Sequence, residues 1–99
     1  MSEHPLKTME TLDPKLFTLI QETQKLALSD GALPRKFKLL VALALDAAHG
    51  ATDGVRSLAQ TAINAGATKD EIAETLRIAQ YISGVGSIYT ASRALKDIV

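Results

Sequence analysis

Four polar side chains in the middle of the chain have types that can do chemistry: Asp46, His49, Asp53 and Arg56. Histidine titrates near neutral pH, so His49 can act as a general acid or base. The carboxylate of Asp53 can accept a proton or bind a cation, and the guanidinium of Arg56 matches a carboxylate ligand in two parallel hydrogen bonds. We therefore take His49 and Asp53 as candidate catalytic residues, and Arg56 and Asp46 as candidate ligand-binding residues.

Each of these residues also has an ordinary structural explanation. His49 precedes Gly50 and suits the C-terminal end of a helix, where a basic side chain favours the helix dipole. Asp53 suits a helix N-cap. Arg56, three residues later, suits an exposed ion pair with Asp53, which would contribute under ~1 kcal/mol. Asp46 would point to solvent or to a basic partner near a subunit boundary, or line a pocket.

The composition excludes several classes of function. The 99 residues contain no cysteine, which excludes disulfides, thiolate metal sites and thiol catalysis. Eleven basic residues balance eleven acidic ones, so no charge excess indicates nucleic acid or an anionic membrane as a partner. The chain has two histidines, far apart, and no glycine-rich phosphate loop after a strand. We therefore expect no metal and no other cofactor.

Length and hydropathy indicate one soluble globular domain. Hydrophobic residues make up 46% of the 99 residues and charged residues 22%, as in ordinary globular proteins. The longest unbroken apolar run, Leu39 to Leu45, has seven residues, whereas a membrane span needs about 20. The N-terminal residues have neither the basic nor the apolar region of a signal peptide. We expect a cytoplasmic protein.

The hydrophobic pattern predicts the elements that must position the four candidate residues. Residues 1–12 are polar and unpatterned, and are predicted to form a flexible N-terminal arm. Asp13 as N-cap and Pro14 at the first helical position open a helix over about 14–28. A second helix begins at Pro34, reaches about His49 and stops at Gly50.

The second helix is apolar on all sides. From Leu39 to Ala48, nine of ten residues are apolar, and Asp46 alone interrupts them. Such a helix has no face for water, so neighbouring helices or another subunit must cover it. The alanine content favours a helix over a buried strand.

Three further helices complete the prediction. The third begins with Thr52 or Asp53 as N-cap and ends at 65–66. Thr68 and Glu71 form a capping box that opens the fourth, and glycines at 84 and 86 separate it from the last. The predicted fold is therefore all-α, with about five helices joined by short turns and no strand.

Between Leu33 and Leu95 the chain carries a series of motifs in a fixed order. An alanine-rich helix ends in Ala47-Ala48-His49-Gly50, and the next leads into Ala65-Gly66-Ala67-Thr68-Lys69-Asp70-Glu71-Ile72-Ala73-Glu74. A helix pair around Ser83-Gly84-Val85-Gly86 follows. In this order and spacing the chain resembles the carboxymuconolactone decarboxylase family, which includes the alkylhydroperoxidase D proteins. The resemblance implies an alkylhydroperoxidase D-like helical domain over residues 13–99 that assembles as a homotrimer or homohexamer.

The resemblance also locates the family's redox site. The peroxidase members carry a Cys-x-x-Cys, a histidine and a glutamate. The corresponding positions here are Ala51 and Gly54 for the cysteines, Leu58 for the histidine and Leu39 for the glutamate. A methyl group or a hydrogen cannot replace a thiolate nucleophile, so thiol peroxidase chemistry is not expected. The decarboxylase branch keeps the histidine, and its replacement by Leu58 argues against lactone decarboxylation as well.

Three functional hypotheses remain. The first is a family member with a degenerate site that binds a small organic acid or a lactone-like ligand through Arg56 and its neighbours. The second is a non-catalytic structural or partner-binding oligomer. The third is a decarboxylase, isomerase or hydrolase that uses His49 and Asp53. In each case we expect self-association, and we expect neither nucleic acid nor a membrane as partner.

Overall fold

The computed structural model of the protein describes residues 6–99, which fold into six helices and no strand. The helices are α1 (Lys7–Leu12), α2 (Pro14–Leu28), α3 (Arg35–Ala48), α4 (Thr52–Asn64), α5 (Lys69–Ser83) and α6 (Gly86–Leu95). The predicted all-α class is confirmed, and the five predicted helices correspond to α2–α6. Within these described residues, none of the helices has the length and apolar character that crossing a membrane requires.

Helix α1 is the element that the sequence did not predict. It lies within the segment expected to be an arm, buries none of its six residues and packs against α2. A helix this short with no buried face leaves no hydrophobic period to read. It ends where the Asp13 backbone N–H donates to the Met9 carbonyl. Residues 1–5 of the predicted arm lie outside the described residues, and the flexibility of the arm remains a prediction.

The predicted caps of α2 and α5 are confirmed. The Asp13 carboxylate accepts a hydrogen bond from the backbone N–H of Leu16 at 3.1 Å, and Pro14 occupies the first helical position. At the start of α5, the Thr68 hydroxyl accepts from the Glu71 N–H at 3.1 Å, and the Glu71 carboxylate accepts from the Thr68 N–H at 2.9 Å. Each cap satisfies backbone donors that have no partner within the helix.

Helices α3 and α4 both end at a glycine in the left-handed region. At the end of α3, Gly50 has φ +76°. Its N–H donates to the Ala47 carbonyl at 3.3 Å, and the N–H of Ala51 donates to the Asp46 carbonyl at 2.9 Å. Gly66, with φ +100°, ends α4 with the same pair of bonds. This arrangement is a Schellman motif, which favours glycine because a side chain at that φ is strained.

The start of α4 differs from the prediction. Neither Thr52 nor Asp53 is the N-cap, because α4 already begins at Thr52 with Ala51 as the capping residue and no side-chain cap. The Thr52 N–H donates to the Gly50 carbonyl at 3.0 Å. The tight turn at Gly50 therefore brings the chain into helical geometry one residue early, and Asp53 lies in the first helical turn.

The core lies among the last four helices. Helix α3 contacts α4, α5 and α6, and the fully buried large side chains are Leu39, Leu43 and Val55. The other buried apolar residues of this core cluster lie between Leu40 and Leu95. No described residue before Leu39 is buried.

The chain covers α3 on one side only. On its other side Val41 is 52% exposed and Leu45 is 57% exposed. Helix α2 packs against α1 and α3 but has no buried residue. The sequence predicts that the apolar α3 needs cover from neighbouring helices or another subunit, and its own chain supplies part of that cover.

Candidate functional site

The four candidate residues surround the turn between α3 and α4. Asp46 lies in the last turn of α3, His49 is the C-cap of that helix, and Asp53 and Arg56 lie in the first turns of α4. His49, Asp53 and Arg56 are exposed, and Asp46 is half-buried. The turn thus brings all four into one region of the fold, although they do not contact one another through hydrogen bonds or ion pairs.

Asp46 packs against Gly54 of α4. A Cβ atom at position 54 would lie 2.9 Å from Cγ of Asp46 and closer still to its Oδ2. Real Cβ atoms do not approach other heavy atoms that closely. Glycine at this position therefore makes the space that the carboxylate occupies, and Asp46 faces α4 instead of pointing freely into solvent. Within residues 6–99 its carboxylate has no hydrogen bond or ion pair.

Arg56 joins α4 to the end of α6. Its Nη1 donates to the carbonyl of Ala94 at 3.2 Å and to the carbonyl of Lys96 at 3.0 Å. These are carbonyls at a helix C-terminus, which lack partners inside the helix and favour a cation. The predicted ion pair between Arg56 and Asp53 is wrong, because the guanidinium donates to these carbonyls instead. The only ion pair within the described residues joins Lys36 to Glu71 at 3.0 Å.

His49 and Asp53 keep their side chains free. The backbone N–H of His49 donates to the Leu45 carbonyl at 3.0 Å, as expected at a helix C-terminus. Neither the imidazole nor the Asp53 carboxylate has a hydrogen bond within residues 6–99. Both are therefore available to a ligand or to solvent. In the same residues no group of three His, Asp or Glu side chains comes together as a metal site requires.

The positions of the family's redox residues are apolar here. Leu39 is 1% exposed in the core, and Leu58 packs against the core from α4. Ala51 and Gly54 lie on either side of the start of α4 and are half-buried. Apolar packing and the Asp46 carboxylate thus occupy the region where the resemblance places a dithiol, a histidine and a glutamate.

An open groove of about 420 Å³ runs between α3 and α5. We call it the α3/α5 groove. Its lining is largely apolar: Phe37, Leu40, Val41, Ala44 and Leu45 from α3, and Glu71, Glu74, Thr75 and Ile78 from α5. None of the four candidate residues lines it. The sequence indicates this groove by the apolar face of α3, on which Phe37, Val41 and Leu45, at i, i+4 and i+8, stay exposed.

Charged residues border one side of the α3/α5 groove. Glu71 accepts hydrogen bonds from the Thr68 N–H and, at 3.0 Å, from Nζ of Lys36. The Thr68 N–H and the Lys36 ammonium hold the pKa of the Glu71 carboxyl below its usual value, because both stabilise the carboxylate form. Lys36 thereby ties the start of α3 to the start of α5. Glu74, one turn further along α5, has no ion pair within residues 6–99.

Comparison with known proteins identifies the relatives of this fold. The profile of the carboxymuconolactone decarboxylase family matches residues 14–97. An uncharacterized protein of Cupriavidus necator, H16_B0147, is 36% identical over 83 residues, which are 83% of this chain and 73% of that protein. The crystal structure of apo-lpg0406, a carboxymuconolactone decarboxylase family protein from Legionella pneumophila, superposes with a TM-score of 0.85 at 34% identity. The match covers 92% of this chain and 81% of that one.

Proposed function

Because the chain belongs to the carboxymuconolactone decarboxylase family, we propose that it works as a self-associating, partner-binding member of that family without thiol peroxidase activity. The observation that carries this proposal is the uncovered face of α3 in the α3/α5 groove, where Val41 and Leu45 are more than half exposed. The assembly we propose is the homotrimer or homohexamer that the family resemblance implies.

The balance of exposed and buried apolar side chains supports self-association. Within the described residues, fifteen large apolar or aromatic side chains are exposed, against six that are buried. Burying one such side chain is favourable by roughly 1.5–3 kcal/mol. Single exposed leucines are ordinary, but a continuous apolar face is typical of an interaction site. Phe37, Val41, Leu45 and Ile78 form such a face along one groove.

The absence of cysteine supports the lack of thiol chemistry. Peroxide reduction by the family's route needs a thiolate as nucleophile, and the sequence contains no cysteine. We expect the purified protein to leave an organic hydroperoxide unconsumed, at the rate of a buffer blank. Consumption that depends on protein concentration would contradict this part of the proposal.

The test of self-association is the molar mass in solution. We expect light scattering at micromolar concentration to give a multiple of the 10.6 kDa chain mass. Val41→Lys places a charge in the groove and should lower that mass, whereas Gln60→Lys, on the exposed side of α4, should not. A wild-type mass of 10.6 kDa would overturn the proposal. If the Val41→Lys variant stayed assembled, the α3/α5 groove would not be the surface through which the subunits make contact.

A second candidate function is favoured by the free imidazole of His49. With Asp53, Arg56 and Asp46 nearby on the α3–α4 turn, it offers a place for a small organic acid or a lactone-like ligand. If the site also catalyses a decarboxylation, isomerisation or hydrolysis, His49 and Asp53 would be its acid–base pair. Nη1 of Arg56 already donates to carbonyls at the end of α6. Arg56 can therefore share in ligand binding through its other guanidinium N–H groups, or through Nη1 if it releases these carbonyls.

The second candidate is tested by thermal shift against a panel of carboxylates and lactones. A ligand that binds only the folded state stabilises it by about 2.7 kcal/mol at a hundredfold excess over Kd. We expect the shift to disappear in His49→Ala, an exposed substitution that leaves the core intact. The same shift in wild type and His49→Ala would contradict this site, and turnover retained in His49→Ala would contradict the catalytic version.

A further inference from the structure

We propose that Asp30 is a modification site, at which the protein converts without an enzyme to isoaspartate through a succinimide ring formed with Gly31. The sequence contains two Asp-Gly pairs, Asp30-Gly31 and Asp53-Gly54, and the fold leaves only the first of them free to react. The inference does not rest on the proposed self-association, because it concerns a covalent change within one chain.

The reaction needs an aspartate followed by a residue that leaves its own nitrogen accessible. That backbone nitrogen bonds to Cγ of the aspartate, and one carboxyl oxygen leaves as water with the proton of the N–H and the proton of the carboxyl group. Glycine favours this step because it has no Cβ to hinder the approach. Water then adds to the ring. When it adds at the former main-chain carbonyl, the chain runs through Cγ, with unchanged mass and no oxidation or reduction.

The first pair lies in the connection between α2 and α3, outside any helix. Every residue from 29 to 35 is exposed. A Cβ at position 31 would meet only Nζ of Lys38, at 3.7 Å, so the space beside Gly31 is open. The N–H of Gly31 donates to the Leu33 carbonyl at 3.2 Å, a bond within the same exposed connection that water can replace. The peptide group after Asp30 can therefore rotate into the ring geometry without moving a buried side chain.

The hydrogen bond of the Asp30 carboxyl group is compatible with the reaction. Its Oδ1 accepts from the backbone N–H of Arg35, the first residue of α3, at 2.6 Å. As the Gly31 nitrogen attacks Cγ, negative charge develops on the carboxyl oxygens, and an N–H donor already in place stabilises that charge. The other oxygen, Oδ2, has no hydrogen bond within residues 6–99 and is the one that leaves.

The second pair, Asp53-Gly54, has the freer carboxylate but a fixed backbone. The Asp53 carboxylate has no hydrogen bond within residues 6–99, so access to the carboxylate alone would favour reaction there. Both residues, however, lie in α4, and a helix holds ψ at about −42°. Ring closure requires Cβ of the aspartate and the next nitrogen to be eclipsed about the Cα–C bond, which is far from this value.

Packing around Gly54 keeps the start of α4 from yielding. The Asp46 carboxylate lies against Gly54. The next residue, Val55, is fully buried, and its N–H donates to the Ala51 carbonyl at 3.0 Å. Turning the peptide group before Gly54 would therefore break the first turn of α4 and move a core side chain. The fold thus separates two identical dipeptides by the freedom of their backbones.

Isomerisation at position 30 changes the connection that holds α2 to the rest of the chain. The main-chain path gains one carbon, and Cγ becomes a peptide carbonyl, so the carboxylate that accepts from the Arg35 N–H is lost. Helix α2 contacts α3 but has no buried residue. The modification therefore loosens the helix that the core holds least firmly.

The experiment ages the purified full-length protein in mildly acidic buffer at physiological temperature and follows two tryptic peptides by chromatography and mass spectrometry. Residues 26–35 carry the first Asp-Gly pair, and residues 39–56 carry the second. We expect the 26–35 peptide to gain a second peak of identical mass several-fold faster than the 39–56 peptide. Fragmentation that distinguishes isoaspartate from aspartate identifies the product. In urea, where α4 is unfolded, both peptides should gain such a peak.

Gly31→Ala is the matched variant. Its new Cβ meets only Nζ of Lys38, at an ordinary contact distance, and Gly31 does not have a positive φ. The fold should therefore be unchanged, while the methyl group slows ring closure several-fold. The inference would be overturned if residues 26–35 stayed unmodified in the folded protein but reacted in urea, because the hydrogen bonds of the connection would then protect Asp30. Equal rates for the two peptides of the folded protein would also overturn it, as would an unchanged rate in Gly31→Ala.

Discussion

The side chain of Asp46 in α3 occupies the space that any side chain at position 54 in α4 would need. Cγ of Asp46 is 2.9 Å from the place of a Cβ at Gly54. The two residues therefore depend on each other: the carboxylate fills the interface of the helices, and glycine leaves room for it. Substitutions at Asp46 and Gly54 should therefore have coupled effects on the free energy of unfolding.

Gly54→Ala should destabilise the protein although it improves helix propensity. Alanine favours a helix interior over glycine by about 1 kcal/mol, but here the new methyl group forces Asp46 to rotate away from α4, and overpacking costs about 1–3 kcal/mol. We expect a net loss of about 1 kcal/mol in the free energy of unfolding. Urea denaturation followed by circular dichroism measures it.

Two further variants make this measurement decisive. A Cβ at Gly86 would have no heavy atom of another part of the chain within 4 Å, so Gly86→Ala should be neutral or slightly stabilising. In the Asp46→Ala background, Gly54→Ala should become stabilising, which would give a coupling of about 1–2 kcal/mol between the two sites. Equal effects of Gly54→Ala with and without Asp46 would show that the two residues are independent.

Installing a dithiol should fail unless Asp46 is removed as well. A cysteine at position 54 needs room for both Cβ and Sγ, and the Asp46 carboxylate lies there. We expect Ala51→Cys/Gly54→Cys to lower the melting temperature by several degrees, and Asp46→Ala added to this pair to restore it. Free-thiol titration after oxidation reports whether the two cysteines then form a disulfide. A stable double variant that retains Asp46 would contradict the expected conflict.

Arg56→Ala should destabilise the end of α6. The guanidinium loses its hydrogen bonds to the carbonyls of Ala94 and Lys96, and since the side chain is exposed we expect a loss of about 1 kcal/mol. Arg77→Ala is the matched control, because Arg77 is exposed and has no hydrogen bond or ion pair within residues 6–99. Equal unfolding free energies for Arg56→Ala and Arg77→Ala would contradict this role for Arg56.

The hydrogen bond from the Thr68 N–H and the ion pair with Lys36 predict a dependence of stability on acid, because both stabilise the Glu71 carboxylate. The pKa of Glu71 is lower in the folded protein than its ordinary value of 4.5, so the unfolded chain binds its proton more readily than the folded one. The contribution is complete above pH 4.5 and is lost as the pH falls through the lower folded pKa. In Glu71→Gln this acid-dependent loss should shrink, as melting temperatures between pH 3 and pH 7 would show. The same pH profile in Glu71→Gln and wild type would contradict this contribution of Glu71.

Local signals predicted most of the helices and their caps. Asp13 with Pro14, and Thr68 with Glu71, act through backbone groups within three residues, so the sequence alone indicates their partners. Gly50 likewise ends α3 by its own left-handed conformation. The predicted N-cap of α4 is wrong because the turn at Gly50 brings Thr52 into the helix without a side-chain cap.

The candidate site was less accessible to sequence reasoning. The partners of Arg56 lie 38 and 40 residues away, and no spacing rule reaches that far, so the nearer Asp53 looked like the natural partner. The contact of Asp46 with Gly54 likewise depends on how two helices pack. For the α3/α5 groove, the sequence predicts only that the apolar α3 needs cover. It does not show which side of α3 the rest of the chain leaves exposed.

The position of the core within the chain affects how the protein is made. All buried side chains of residues 6–99 lie from Leu39 onward, and α6, which completes the core, ends at Leu95. During translation at roughly 5–20 residues per second, α2 emerges roughly 3–13 s before α6 does. For that interval the half-buried side of a nascent α2, with Phe17, Ile20 and Leu28, has no core to pack against, so these side chains stay exposed until the later helices have been made.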